Sequence, residues 1–325
     1  MKDKINMRTV CGFITGKYFI FVLFILVFAL FVILAPAICT TDSIRNILVN
    51  ASLTAISGCG MTFAITLGGF DLSVGSIMAL STCIIAKMVP TIGIPGAILI
   101  AFMVSALIGI VNGLIITKLR IQTFVATLAT QVIIKGIALI YTGGLSVSIF
   151  NFTQFKLFSS ARVMGIPLPV IITLAVFLLC QFLYSRCKFG VYLRASGSNE
   201  KAARLSAVPV EGITICAFLI TALSACLSGV ITVSQVLTAN ASTGGSFALN
   251  AITVVVLGGT SLSGGSGFLG GSVIAAILIS IIENGLTLLG YSDDIQRLVI
   301  GLVLIISLTA KTFISPLSRK EGAAE

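Results

Sequence analysis

The chain has 325 residues, of which 57% are apolar and only 9% charged, and it carries a formal charge of +10. A soluble domain carries roughly 25% charged residues, so this chain cannot cover a water-facing surface, and lipid must be its main solvent. It has no His and no Trp, which excludes metal sites built on imidazole, and no basic patch interleaved with aromatics points to nucleic acid.

A membrane-spanning helix needs about 20 apolar residues. Residues 1–17 hold Lys2, Lys4, Arg8 and Lys17 and read as a cytoplasmic tail. The apolar run Tyr18–Ala35 that follows, with Ala35-Pro36-Ala37 behind it, mimics a signal peptide. It exceeds the roughly 7–15 apolar residues of such a peptide, and is read as the first transmembrane helix, over 18–35. Further candidates cover 47–67, 71–89, 92–117, 121–141, 166–184, 213–234, 248–259, 268–289 and 295–314. Segment 248–259 is too short to cross alone; it is either a half-helix or a helix that begins earlier. These segments predict an all-α integral membrane protein of about ten transmembrane helices, with a membrane domain over 18–314 and a cytoplasmic tail over 315–325.

Two connections stand out. The stretch 142–165 is long, reads as external, and places Phe150, Phe152, Phe155 and Phe158 at the outer interface. The stretch 185–212 is the only long internal loop and the most charged part of the chain. With the N-terminus in the cytoplasm, fourteen basic residues fall inside: four in the first tail, Lys118 and Arg120, five in the 185–212 loop, and Lys311, Arg319 and Lys320. Five fall outside: Arg45, Lys87, Lys156, Arg162 and Arg297. This bias follows the positive-inside rule and predicts that both termini are cytoplasmic.

Within the spans, Cys39, Cys59, Cys83, Cys180, Cys216 and Cys226 lie in or beside apolar runs, and no CxxC spacing occurs. They read as small buried thiols, not as a disulfide framework. Glu283 and Lys135 lie at similar estimated depth; they either pair or snorkel outward, and snorkelling is the favoured reading. The pairs Gly109–Gly113 and Gly267–Gly271 have the spacing that lets helix backbones approach closely in lipid.

Three motifs carry the remaining information. The first, Gly68-Gly69-Phe70-Asp71-Leu72-Ser73-Val74-Gly75-Ser76, sets a carboxylate and two hydroxyls between apolar spans. Irregular backbone at membrane depth is tolerated only when buried in protein or lining water. Gly68, Gly69, Asp71, Ser73 and Gly75 are therefore candidates for a translocation path; the other reading is a tight turn with Asp71 capping the next helix. The second motif runs from Gly258 to Ser266, and its candidates are Gly258, Gly259, Thr260, Ser261, Gly264 and Gly265. Both motifs read G-G-x-x-L-S-x-G-S, which suggests an internal repeat. Gly265–Gly270 also fits G-x-G-x-x-G, but no soluble βαβ unit surrounds it. The chain shows no P-loop.

The third motif is Gly197-Ser198-Asn199-Glu200-Lys201-Ala202-Ala203-Arg204-Leu205-Ser206-Ala207-Val208-Pro209. Asn199 is placed to cap a short helix, Glu200 and Arg204 to pair across one turn, and Pro209 to stop it. Ala202, Ala203, Leu205 and Ser206 give that helix a small apolar surface that another protein can grip; the other reading is a solvated connector.

In their order along the chain, 68–76, 197–209 and 258–266, the three motifs resemble those of the ribose-type (monosaccharide) permease family of ABC transporters, over roughly residues 45–310. Three departures are visible: Ala207 where glycine is usual, Ser198 where Asn is frequent, and Ser266 where Arg is often found. The resemblance implies an ABC importer permease fold in a bacterial cytoplasmic membrane, with two permease chains over two ATPase subunits. It implies an extracytoplasmic binding protein that delivers a sugar, and no cofactor in this chain, since ATP and magnesium belong to the ATPase. Gly197, Asn199, Glu200, Ala202, Ala203, Arg204 and Ser206 would then form the coupling loop that seats in the ATPase. The chain itself would do no covalent chemistry. The rival readings are an ion-coupled secondary transporter built on intramembrane carboxylates such as Asp71 and Glu283, and a membrane enzyme, for which no His/Cys/carboxylate grouping appears.

Overall fold

The computed structural model describes residues 19–319, so the N-terminal tail 1–17 and the end of the C-terminal tail, with their basic residues, lie outside the described residues. The chain is helical almost throughout. In order, the longer helices are α1 (Phe19–Leu34), α2 (Thr41–Thr66), α3 (Val74–Lys118) and α4 (Thr123–Thr142). After the short α5 (Leu157–Ser160) come α6 (Leu168–Ser185), α7 (Lys188–Ser198), α8 (Glu200–Leu205), α9 (Val210–Val236), α10 (Phe247–Leu257), α11 (Leu269–Leu288) and α12 (Asp293–Arg319). Among the described residues, six helices are long and apolar enough to cross a membrane.

Local chemistry sets the boundaries. The Thr40 hydroxyl accepts from the Ser43 amide and starts α2, with Asp42 in the first turn, where a negative charge meets the positive helix end. Helix α3 spans 45 residues, about 68 Å at 1.5 Å per residue, against a hydrocarbon core of about 30 Å. It is interrupted at Gly93, whose φ of 73° and ψ of 172° are not helical, between Pro90 and Pro95. The two predicted segments 71–89 and 92–117 thus meet at this break. Segment 248–259 is the eleven-residue α10, preceded by turns over 240–246. This is the half-helix alternative.

The core is built around α2, whose residues from Ala51 to Thr66 are almost all buried, whereas α4 and α6 expose apolar side chains outward. Helix α9 packs along both α2 and α3, and α11 along α1 and α2. Small residues let the backbones approach. A Cβ on Gly109 would lie 2.8 Å from Leu219 Cα, and one on Gly113 2.6 Å from Ile215 Cα, so both glycines of that pair are required by the α3–α9 contact. Buried hydroxyls join α2 to α9 sideways, Ser57 to Ser228 at 3.0 Å and Thr221 to the Gly60 carbonyl at 3.0 Å, and join the two halves of α3, Ser81 to Ser105 at 3.0 Å. In lipid such bonds compete with no water.

Several expectations change. Phe155 is fully buried, packed edge-on against Phe158 at 5.5 Å, while Phe150 remains exposed. The 142–165 stretch therefore folds back onto the bundle, because Val147–Ser148 (β1) pairs with Thr238–Ala239 (β4) and draws the loop inward. A second small hairpin, β2 (Arg162–Val163) with β3 (Ile166–Pro167), leads into α6. Lys135 is exposed on α4 and Glu283 half-buried on α11; no ion pair joins them. All seven described cysteines are free, but Cys39 and Cys216 are exposed, not buried.

The α3–α9 contact makes a measurable demand. Gly109→Leu must push two backbones apart, at about 1–3 kcal/mol for overpacking. Its thermal unfolding midpoint in detergent is expected several degrees below wild type. Gly136→Ala, at a position where nothing lies within 4 Å of the added carbon, is expected to leave the midpoint unchanged or slightly raised.

Candidate functional site

The three motifs are far apart in sequence, but meet at one end of the bundle. Helix α2 ends at Thr66, and its carbonyl oxygen accepts a hydrogen bond from the Gly265 amide at 2.8 Å. Gly197, near the end of α7, lies directly against the same oxygen, with no room for a side chain. A Cβ on Gly264 would sit 2.7 Å from the Gly197 carbonyl oxygen and 3.0 Å from the Gly68 nitrogen. Gly68, Gly264 and Gly265 also have φ values of 81°, 79° and 77°, a backbone that L-residues rarely adopt. Glycine is thus fixed by both space and torsion at 264 and 265, and by torsion alone at 68, where a Cβ would come no closer than 3.9 Å to its nearest neighbour. The junction ties the end of α2, the approach to α11 and the long loop together through backbone.

Beyond the junction the first motif is fastened to its neighbours. Thr127 donates to the Phe70 carbonyl at 3.1 Å, and Ser76 to the Gln131 carbonyl at 3.0 Å, both across to α4. Gly69 faces Thr123, where a Cβ would be 2.9 Å away. Asp71 is fully buried, and its Oδ1 accepts from both the amide and the hydroxyl of Ser73. The Ser73 hydroxyl in turn accepts from Asn112 Nδ2 at 2.9 Å. Asp71 therefore closes a turn two residues long and does not cap the helix; Ser73 is the residue before α3. Asp71 Oδ2 and Asn112 Oδ1 have no partner. Gly75 lies in the first turn of α3, backbone to backbone against Gly244.

The second motif follows a different course. Gly258 packs on Gly271 of α11, Gly259 has φ of 104°, the Thr260 hydroxyl accepts from the Phe268 amide at 3.1 Å, and the Ser261 amide donates to the Ser266 carbonyl at 3.1 Å. Gly75 is helical and its counterpart Gly265 is left-handed. The sequence likeness of the two motifs is thus not a likeness of backbone, and the internal-repeat expectation is corrected at that level. Both motifs follow the end of a helix, α2 or α10, and the common small residues suit two different tight turns.

The long loop holds two helices, not one: α7 was not foreseen. In α8 the Asn199 side chain accepts from the Ala202 amide at 3.0 Å, and Arg204 donates to Glu200 at 2.9 Å, as the sequence predicts. Pro209 does not stop this helix. It ends at Leu205, with Ser206 as C-cap and Ala207 at φ 59°. The Val208 amide bonds the Ala203 carbonyl and the Ala207 amide the Arg204 carbonyl, a Schellman stop; Pro209 instead precedes α9. The left-handed φ accounts for glycine being usual at this place. Ala203 is buried, only 4% exposed, whereas Leu205 is 90% exposed. Of the small apolar surface expected on this helix, Ala202, Leu205 and Ser206 are therefore exposed and Ala203 is not. Arg204 also lies 3.8 Å from Glu211 of α9, which pairs with Lys118 of α3 at 2.6 Å.

A cavity of about 630 Å3 opens beside this cluster, lined by Gly68, Arg120, Thr123, Ser196, Arg204 and Phe218 among others. Ser196 Oγ is buried there without a partner. Among the described residues, no group of three or more His, Cys, Asp or Glu could hold a metal ion. The contacts around α8 are structural: Gly197, at the end of α7 just before it, lies against Thr66 and Gly265, and Arg204 lies beside Glu211, which pairs with Lys118. Sequence reasoning missed Thr66, Asn112 and Gly244, and did not tell the outward Leu205 from the buried Ala203. The Gly244-Gly245 pair was the available signal for the third of these.

Two substitutions test the backbone reading. Ala207→Gly removes the strain of an L-residue in the left-handed region, about 1–2 kcal/mol, and is expected to raise the thermal unfolding midpoint. Gly264→Ala adds both that strain and a clash, and is expected to lower the midpoint and the folded yield. At Asp71, Asn keeps an oxygen for Ser73 and Ala does not. Asp71→Ala is expected to destabilise more than Asp71→Asn, by about 1–3 kcal/mol for the buried donors left unpaired, read as the difference in unfolding free energy.

Residues 43–308 match a family model described as branched-chain amino acid transport system / permease component. The chain is 38% identical over 280 residues to the ribose import permease protein of Escherichia coli (strain K12), covering 85% of this chain and 87% of that one. It is 35% identical over 312 residues to the ribose import permease protein of Haemophilus influenzae, covering 93% and 96%. It is 34% identical over 302 residues to the D-allose transport system permease protein of E. coli (strain K12), covering 92% of each. No solved structure matches. With a match that takes in the three motifs and nearly all the described helices, this chain belongs to the family of branched-chain amino acid transport system permease components, and its sequence is that of a ribose-type permease.

Proposed function

We propose that this chain is the membrane-spanning subunit of an ATP-driven importer, forming the pathway for a monosaccharide delivered by an extracytoplasmic binding protein. The family description names branched-chain amino acids, but the relatives described above are named for ribose and allose. Their closeness over nearly the full length favours a sugar. ATP and magnesium are held by a partner ATPase, and a second permease chain completes the pathway. Both termini lie on the cytoplasmic side of a bacterial inner membrane, and the chain crosses ten times. The fourteen-to-five distribution of basic residues and the break of α3 at Gly93 support this count.

The observation that carries the proposal is the junction at Thr66. A short capped helix stands at the membrane surface with an exposed Leu205, and its base is locked by backbone contact to the ends of the spans. Such a helix seats in an ATPase and passes nucleotide-driven closure into the bundle. Gly197, Asn199, Glu200, Ala202, Arg204 and Ser206 shape and anchor it, and Ala203 packs it against its own chain. The glycine motifs at 68–75 and 258–265 are the turns through which the motion enters the pathway.

Leu205→Glu replaces the exposed apolar contact with a charge without touching the cap or the Glu200 pair. Glu is also a good helix former. At matched expression, ATPase co-purification is expected to fall at least tenfold and sugar uptake with it, while the unfolding midpoint of the permease stays at its wild-type value. Undiminished recovery of the ATPase would remove α8 from the coupling role. Uptake of labelled ribose, allose and leucine by cells expressing the whole transporter tests the substrate class; uptake of leucine alone would replace sugar by amino acid.

A further inference from the structure

A separate cavity of about 300 Å3 lies at the junction end of the bundle, where α6 and α7 face the approach to α11. Its walls are Tyr184, Arg194, Gly259, Ser266, Gly267 and Phe268, and no carboxylate lines it. The Arg194 guanidinium lies 5.0 Å over the Tyr184 ring, and its Nη1 donates to the Tyr184 carbonyl at 2.6 Å. That bond uses one of five guanidinium donors, and none of the ion pairs among the described residues includes Arg194. Tyr184 is 7% exposed, and its hydroxyl is buried with no hydrogen-bond partner. A Cβ on Gly267, in the cavity wall, would lie 3.0 Å from this oxygen. Directly after the wall, α11 begins at Leu269 without a side-chain cap. The positive end of a 20-residue helix thus opens beside the cavity.

A fixed cation, an unpaired hydroxyl and the amide end of a helix all favour negatively charged oxygen, and guanidinium geometry suits phosphate in particular. We infer that this cavity binds a phosphate-bearing anion, with Arg194 as its charge partner and the Tyr184 hydroxyl as a donor. Two sources share that chemistry, the headgroup of an acidic phospholipid and a free phosphate. Arg186 and Lys188, both exposed, follow Tyr184 within four residues of the chain, and such basic residues beside a pocket favour an anionic membrane surface. The inference concerns binding alone and does not rest on which solute is transported.

The test uses the purified, delipidated full-length chain in detergent and its thermal unfolding midpoint. Short-chain phosphatidylglycerol is titrated in one arm, and inorganic phosphate in another against chloride at equal ionic strength. The midpoint is expected to rise in at least one arm. Tyr184→Phe, which keeps the ring that packs edge-on against Phe63, is expected to weaken the apparent affinity about tenfold. Arg194→Gln is expected to abolish the response. A rise with the lipid alone assigns a headgroup, and a rise with inorganic phosphate assigns a free anion. No rise in either arm, or the same response in wild type and Tyr184→Phe, overturns the inference whatever the fate of the Arg194 variant.

Discussion

The structure depends on one carbonyl oxygen, that of Thr66 at the end of α2. It is met by the Gly265 amide and by Gly197, while Gly264 closes on Gly68 and Gly197 from beside it. Side chains would separate these segments by several ångströms. Without them, the ends of two spans and a surface loop meet in one backbone contact. The left-handed torsions at Gly68, Gly264 and Gly265 belong to the same constraint, because they turn the chain sharply enough to leave the junction again.

Above the junction, rigidity has a different source. In lipid the apolar effect does not drive helices together, so close approach and interhelical hydrogen bonds must. The serine and threonine contacts around α2, α9 and α11 fill that role, and the glycines at 109 and 113 allow α3 to lie on α9. The result is a tightly joined centre with α4 and α6 outside it, their apolar side chains turned outward. Asp71 and Asn112 stand between these regions. Each spends part of its hydrogen-bonding capacity on Ser73 and leaves one buried oxygen unpaired. These unmet groups sit where Ser73 of the first motif is bonded to Asn112 in the second half of α3.

The membrane class followed from the amino-acid sequence alone, because a 57% apolar chain with 9% charge has no other solvent. Several apolar segments followed for the same reason, and the interruption of α3 was placed to within a few residues: it falls at Gly93, just inside the segment predicted over 92–117, with Pro90 and Pro95 on either side. The cap at Asn199 and the Glu200–Arg204 pair were also legible, since both are contacts between residues three or four apart. The resemblance of the motifs was enough to name the permease family, but it said nothing of why those glycines are needed.

Contacts between distant residues were decided only by the tertiary structure. Nothing local distinguishes Ala203 from Leu205, yet one is buried and the other almost wholly exposed, because the face of α8 is set by where α9 and the junction lie. Phe155 looks like an interfacial aromatic until β1 pairs with β4 and folds it inward. The two G-G-x-x-L-S-x-G-S stretches look alike and turn differently, because one must enter α3 at once and the other must first reach Thr66. Side-chain type and spacing determine solvent, helix and cap, whereas burial and close backbone approach depend on partners that the linear order does not bring together.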